Sequence, residues 1–143
     1  MRSLYVLQLL AFQMSSPGQQ TVILIVDDEV IVRNIVQRIL TQAGFAVLAA
    51  ADGLEALELF ETFPDTIDLL LTDIDMPRLD GFQLAKRIRL DKPNVKIVFM
   101  SGKLDTVTGT MLEHFVSKPF GPTALVDAVR KALAGSPSQT GSS

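Results

Sequence analysis

Val22-Ile23-Leu24-Ile25-Val26-Asp27-Asp28 is an unbroken run of five apolar residues closed by two carboxylates. Without polar alternation, such a run predicts a strand buried on both faces, as in parallel sheets covered by helices. The pattern recurs downstream. Ile67–Thr72 is an apolar run closed by Asp73, Val95–Met100 ends at Ser101, and the short His114–Ser117 precedes Lys118-Pro119. Phe45–Ala50 predicts one further strand, the second in chain order. The intervening stretches carry apolar residues at helical spacing. Ile31, Ile35, Ile39 and Leu40 predict a helix stopped by Gly44. Asp52 can cap a helix bearing Leu54, Leu57 and Phe60, with Pro64 beyond its end. Gly81–Leu90 offers Phe82, Leu84, Ala85 and Ile88 for burial, and Pro122 opens a last helix with Leu125, Val126, Val129 and Leu133. Strands alternating with helices predict an α/β fold, a doubly wound five-stranded parallel sheet with helices on both faces.

In such sheets ligands gather at the carboxyl ends of the strands, and right-handed crossovers bring those ends to one edge. That edge then collects Asp27 and Asp28 after the first strand, Asp73 after the third, Ser101 after the fourth and Lys118 after the fifth. One aspartate alone is more simply a helix cap or a turn residue. Three at one sheet edge repel one another, and one would take up a proton without compensation. A hard divalent cation resolves the conflict. Mg2+ takes oxygen ligands and keeps several waters, so a few carboxylates suffice. A carboxylate beside Mg2+ can serve as a nucleophile toward phosphorus. In-line phosphoryl transfer also needs charge neutralised on the equatorial oxygens. Lys118 offers a mobile point charge for that purpose, and Ser101 a hydroxyl donor.

Composition narrows the alternatives. A chain of 143 residues, 48% hydrophobic, is long enough for one domain with a self-sufficient core. It contains no cysteine, which excludes disulfides, thiolate metal sites and thiol catalysis. A net charge of -3, with no tryptophan and one tyrosine, leaves neither a basic footprint nor a stacking platform for nucleic acid. The apolar run Leu4–Phe12 follows Arg2, is too short to span a bilayer and is not closed by an A-x-A-type cleavage site. No membrane insertion is expected, and the expected location is cytoplasmic. The organisation expected is an N-terminal extension and linker over residues 1–20, a folded unit over 21–134, and a Gly/Ser-rich disordered tail over 135–143.

Taken together, the segments Ile25-Val26-Asp27-Asp28-Glu29, Leu71-Thr72-Asp73-Ile74-Asp75-Met76-Pro77-Arg78-Leu79-Asp80-Gly81, Phe99-Met100-Ser101-Gly102 and Ser117-Lys118-Pro119-Phe120 resemble the response-regulator receiver family, in the family's order. Ala51-Asp52-Gly53-Leu54-Glu55-Ala56-Leu57 matches a further signature, and the resemblance covers about Thr21 to Ala134. It implies a flavodoxin-like strand order 2-1-3-4-5 and a stand-alone receiver of two-component signalling. It also implies that Asp73 accepts a phosphoryl group and that Asp28 and Asp73 bind Mg2+ directly. The Asp75 backbone carbonyl would be a further ligand, and Asp27 would hold the metal through water. Ser101 and Lys118 would contact the phosphoryl group. The donor would be a phosphohistidine on a sensor histidine kinase or histidine phosphotransfer protein. Such a protein is not a turnover enzyme; it assists only its own phosphorylation and dephosphorylation. It would pass its signal to a separate downstream protein.

Two features depart from the family pattern. Phe115 stands where a switching tyrosine is common, so Phe115 and Ser101 are the expected switch pair without a phenolic hydroxyl. The stretch from Ser101 to Lys118 is several residues short and carries Thr106, Thr108, Gly109 and Thr110, weak helix formers that predict a short or frayed fourth helix. Asp75 and Lys103 flank the path by which, in the family, water reaches the acyl phosphate, so they are the expected gate on its lifetime. Two other classes compete. A haloacid-dehalogenase-type phosphatase would share the D-x-D of Asp73-Ile74-Asp75, but it places its nucleophile strand first, whereas Asp27-Asp28 comes first here. A receiver-like binding module acting without phosphorylation would have lost Asp73, Lys118 or one of the acidic pair, and this chain retains all of them.

Overall fold

Val22–Val26 forms β1, with all five residues buried, as an apolar run covered on both faces requires. The computed structural model describes residues 20–102 and 114–135. From β1 the chain passes through α1 (Val30–Gln42), β2 (Ala46–Ala50), α2 (Gly53–Thr62), β3 (Leu69–Asp73), α3 (Gly81–Asp91), β4 (Lys96–Ser101), β5 (His114–Ser117) and α4 (Pro122–Ala134). The five strands form one parallel sheet in the order β2-β1-β3-β4-β5. The fourth helix expected before β5 falls on residues 103–113, outside the described residues.

Alternation along the strands divides the core in two. Leu24, Val26, Leu70 and Phe99 face one side with Leu59, Phe60, Leu84 and Ile88 from α2 and α3. Ile23, Ile25, Leu71 and Val98 face the other with Val36, Leu40, Leu125 and Val129 from α1 and α4. The sheet is thus covered on both faces, as its uniformly apolar strands demand.

Strand ends differ from the apolar runs by one or two residues because ladder pairing, not hydrophobicity, sets them. β3 begins at Leu69 rather than Ile67 and includes Asp73, which pairs with Met100. β4 begins at Lys96 rather than Val95 and includes Ser101, which pairs with Ser117. The consequence is functional: Asp73 and Ser101 occupy the last ladder positions of strands, so their backbones are held by the sheet. In α1 the apolar spacing correctly marked a helix. Its buried residues, however, are Val36 and Leu40, while Ile31 and Ile35 stand 71% and 51% exposed.

Candidate functional site

The carboxyl ends of β1, β3, β4 and β5 meet at one edge of the sheet, and the site is built from the residues that close them. Asp27 is fully buried (0% exposed) and Asp73 nearly so (5%), whereas Asp28 is exposed. One carboxylate oxygen from each of the three lies within 4.8 Å of the others. Asp27 is held through both its side chain and its carbonyl. Its Oδ1 accepts the Glu29 N–H at 2.9 Å, and its carbonyl accepts Arg33 Nη1 at 2.7 Å. Asp27 is therefore braced by the start of α1.

Lys118 enters from the end of β5. Its backbone N–H donates to the Ser101 carbonyl at 2.8 Å, and the Lys118–Pro119 peptide is cis. The ammonium donates to Asp27 Oδ2 at 2.9 Å and lies 3.3 Å from Asp73 Oδ1 and 3.7 Å from Glu29 Oε1. It is thus shared between the two buried carboxylates, with the shorter contact to Asp27. Ser101 is buried at the end of β4, and Asp75 is exposed two residues beyond Asp73. Lys103 lies outside the described residues.

The loop after Asp73 is fixed by close packing. Ile74 N–H donates to the Met100 carbonyl at 3.1 Å and Gly81 N–H to the Ile74 carbonyl at 2.9 Å. A Cβ on Gly81 would collide with the Asp73 carbonyl oxygen and stand 2.9 Å from Ile74 Cα, so only glycine lets α3 start this close to the site. Asp80 caps α3 in a capping box with Gln83. Arg78 adopts a positive φ of 69°, and its guanidinium lies 3.6 Å from Asp52, the N-cap of α2. Below the pocket, Phe115 on β5 stacks on Phe99 at 5.4 Å, and Phe99 packs on Phe82 of α3 at 4.8 Å.

The electrostatics follow from this geometry. Burial, then the charge on Asp27, pushes the Asp73 carboxyl up to about 6, against the opposing pull of Lys118. For Lys118, burial works against the charged form. The hydrogen bond and charge of Asp27, reinforced by Asp73, outweigh it and raise the ammonium pKa above the ordinary value. Three carboxylates around one lysine leave an excess of negative charge. Their all-oxygen donor set, at this spacing, fits a hard divalent cation such as Mg2+.

The residues expected from sequence at the sheet edge (Asp27, Asp28, Asp73, Ser101 and Lys118) do converge. Glu29, Arg33 and Thr72 were not foreseen. The Thr72 hydroxyl donates to the Asp73 carbonyl at 2.9 Å. Arg33 carried one usable signal, its place one turn into a helix that opens directly after the acidic pair.

A family model for the "Response regulator receiver domain" matches residues 23–130. A probable transcriptional regulator, ycf27, from Cyanidium caldarium is 40% identical over 115 residues, spanning 78% of this chain and 45% of that protein. The chain spans about half the length of the curated relatives it matches first. Among solved structures, the receiver domain of the hybrid histidine kinase CckA is 39% identical with a TM-score of 0.68, covering 78% of this chain and 98% of that one. A CheX-CheY-BeF3-Mg+2 complex from Borrelia burgdorferi is 28% identical with a TM-score of 0.74, covering 83% of this chain and 93% of that one. No helix among the described residues is long and apolar enough to cross a membrane.

Proposed function

The chain belongs to the response regulator receiver domain family, and from that premise we propose that it is a switch driven by phosphorylation of Asp73. The observation that carries the reading is the shared lysine. Lys118 sits within 3.3 Å of Asp73 Oδ1 at the mouth of a three-carboxylate cluster, so nucleophile, cation and metal-binding oxygens occupy one pocket. A free Asp73 carboxylate oxygen attacks the phosphorus of a phosphohistidine in line. As the new O–P bond forms, the P–N bond breaks and its electron pair returns to the imidazole, leaving an acyl phosphate on Asp73. Lys118 can move from Asp27 to a phosphoryl oxygen while staying close to Asp73. The Ser101 hydroxyl donates to another oxygen.

Asp28 and Asp73 would hold Mg2+ directly, with the Asp75 backbone carbonyl as a further ligand and Asp27 acting through water. Bound Mg2+ would offset charge on the equatorial oxygens. Support for this ion comes from the oxygen-only donor set, and from a structural relative that is itself a complex containing BeF3 and Mg2+. Asp75 and Lys103 set how readily water reaches the acyl phosphate. The receiver unit runs from about Thr21 to Ala134. The phosphodonor is a sensor histidine kinase or a histidine phosphotransfer protein in the cytoplasm, and output passes to a separate partner when Ser101 and Phe115 repack around the phosphorylated Asp73.

The test is phosphotransfer from a panel of phosphorylated histidine kinases and phosphotransfer proteins with Mg2+ present. At least one donor should pass its label to the wild type within minutes and none to Asp73→Asn. Failure of every donor with the folded, Mg2+-binding wild type would favour a binding module that works without phosphorylation.

A further inference from the structure

Helix α1 exposes Ile31 and Ile35, which stand one turn apart on the same face. Scattered surface isoleucines need no explanation, but these two border a hollow. A cavity of about 300 Å³ is lined by Val32, Ile35, Lys118, Pro119 and Phe120, between α1 and the start of α4. The apolar surface is therefore continuous from the helix into the groove, and contiguous apolar patches on soluble domains mark contact sites.

The sequence also contains an apolar segment near its N-terminus. Leu4-Tyr5-Val6-Leu7-Gln8-Leu9-Leu10-Ala11-Phe12 carries no charge and a single polar residue, and it lies outside the described residues. The route between segment and groove is short. Gln20 Nε2 donates to the Gly44 carbonyl at 2.8 Å, so the described chain begins beside the C-terminal end of α1. Ile35 lies seven residues before Gln42, about 10 Å along the helix at 1.5 Å per residue. The seven residues Gln13–Gln19 can extend to about 23 Å, so the tether reaches the groove with length to spare.

We propose that residues 4–12 of this chain dock on its own apolar face formed by Ile31, Val32, Ile35, Pro119 and Phe120. Docking removes two mutually compatible apolar surfaces from water within one molecule, where a short tether keeps their effective concentration high. The exposed Leu54 and Leu90 belong to α2 and α3, on the opposite side of the sheet from α1, and are not part of this face.

Tyr5 is the single tyrosine and the chain has no tryptophan, so tyrosine emission reports this segment alone. In the full chain, without metal or phosphodonor, acrylamide should quench Tyr5 several-fold less than in the Ile31→Ser/Ile35→Ser variant, independently of protein concentration. Leu7→Ser/Leu10→Ser, which leaves the folded unit unchanged, should expose Tyr5 equally. The chain has no native cysteine, so oxidised Leu9→Cys/Ile35→Cys should form a disulfide within one chain, and Leu9→Cys/Leu54→Cys should not. Equal quenching in wild type and both serine variants would overturn the proposal. So would protection that vanishes on dilution, which would point to a second copy, or protection that arises only when anionic lipid vesicles are added.

Discussion

Asp73 is held in a place that suits reaction better than stability. Burial and the neighbouring Asp27 raise its pKa to about 6, from 3.8. A raised carboxyl pKa means that the folded state binds the proton more tightly than the unfolded state. Its contribution is most favourable below about pH 4 and is lost as pH rises through about 6. At pH 7 without metal, Asp73→Asn should therefore be more stable than wild type by about 1–3 kcal/mol. The two denaturation curves should converge below pH 4. A variant equally stable at pH 7, or less so, would contradict this. Lys118 has the opposite character, because its ammonium compensates the fully buried Asp27 at 2.9 Å. Lys118→Ala should cost about 1–3 kcal/mol by leaving that carboxylate without its charged partner. Added Mg2+ should recover more stability in this variant than in wild type, as urea denaturation with and without the ion would show. At this scale the sequence was informative where a polar residue closes an apolar strand, as Asp27, Asp73, Ser101 and Lys118 do. Glu29 was not legible and Arg33 only by its place after the acidic pair, because a charged residue at the start of a helix ordinarily faces solvent. Nor could any spacing reveal that the ammonium of Lys118 lies closer to Asp27 than to Asp73.

The elements around the site separate stability from function. Asp80 and Gly81 are adjacent at the start of α3 but act differently. Asp80 closes a capping box with Gln83. Asp80→Ala should lower stability by about 0.5–2 kcal/mol and leave phosphorylation of the remaining folded protein unchanged. Gly81 lies against the Asp73 carbonyl, where a methyl group meets backbone that the β3 ladder prevents from retreating. Gly81→Ala should cost about 1–3 kcal/mol or more and also slow phosphorylation, since the acceptor strand must shift. Thermal melts paired with labelling rates distinguish the two variants. The strands were readable because a parallel sheet needs long apolar runs, and their ends moved only where pairing included a polar residue such as Asp73 or Ser101. Helix α1 was readable as a helix but not as a face. Isoleucines at 31, 35, 39 and leucine at 40 satisfy helical periodicity, yet periodicity does not say which stripe meets the sheet. Val36 and Leu40 took that place.

For the whole molecule, the sheet edge gathers residues from positions 27 to 118 into one pocket, so any ligand bound there stabilises the entire fold. If three carboxylates bind Mg2+, the ion should raise stability by about 2.7 kcal/mol at a concentration one hundred times its Kd. Asp28→Ala should lose most of that gain. A melting temperature independent of Mg2+ in wild type would oppose the metal site. The stack of Phe82, Phe99 and Phe115 offers a route from this pocket to α3, because a shift of Phe115 cannot leave Phe99 undisturbed at 5.4 Å. Taking the switched state from 1% to 99% needs about 5.5 kcal/mol of differential interaction, a demand met more readily by a doubly charged phosphoryl group than by a neutral one. The strand order was legible only through the family motifs, since periodicity defines strands and helices without saying which strands are neighbours.

The most direct test of this account is the intact mass of the protein after incubation with a small acyl-phosphate donor. With Mg2+, the wild type should gain a single phosphoryl group, stable in acid and lost in base. Asp73→Asn should gain none, and chelating the metal should prevent the gain in wild type. Full labelling of Asp73→Asn, or labelling of the wild type that ignores Mg2+, would contradict the account.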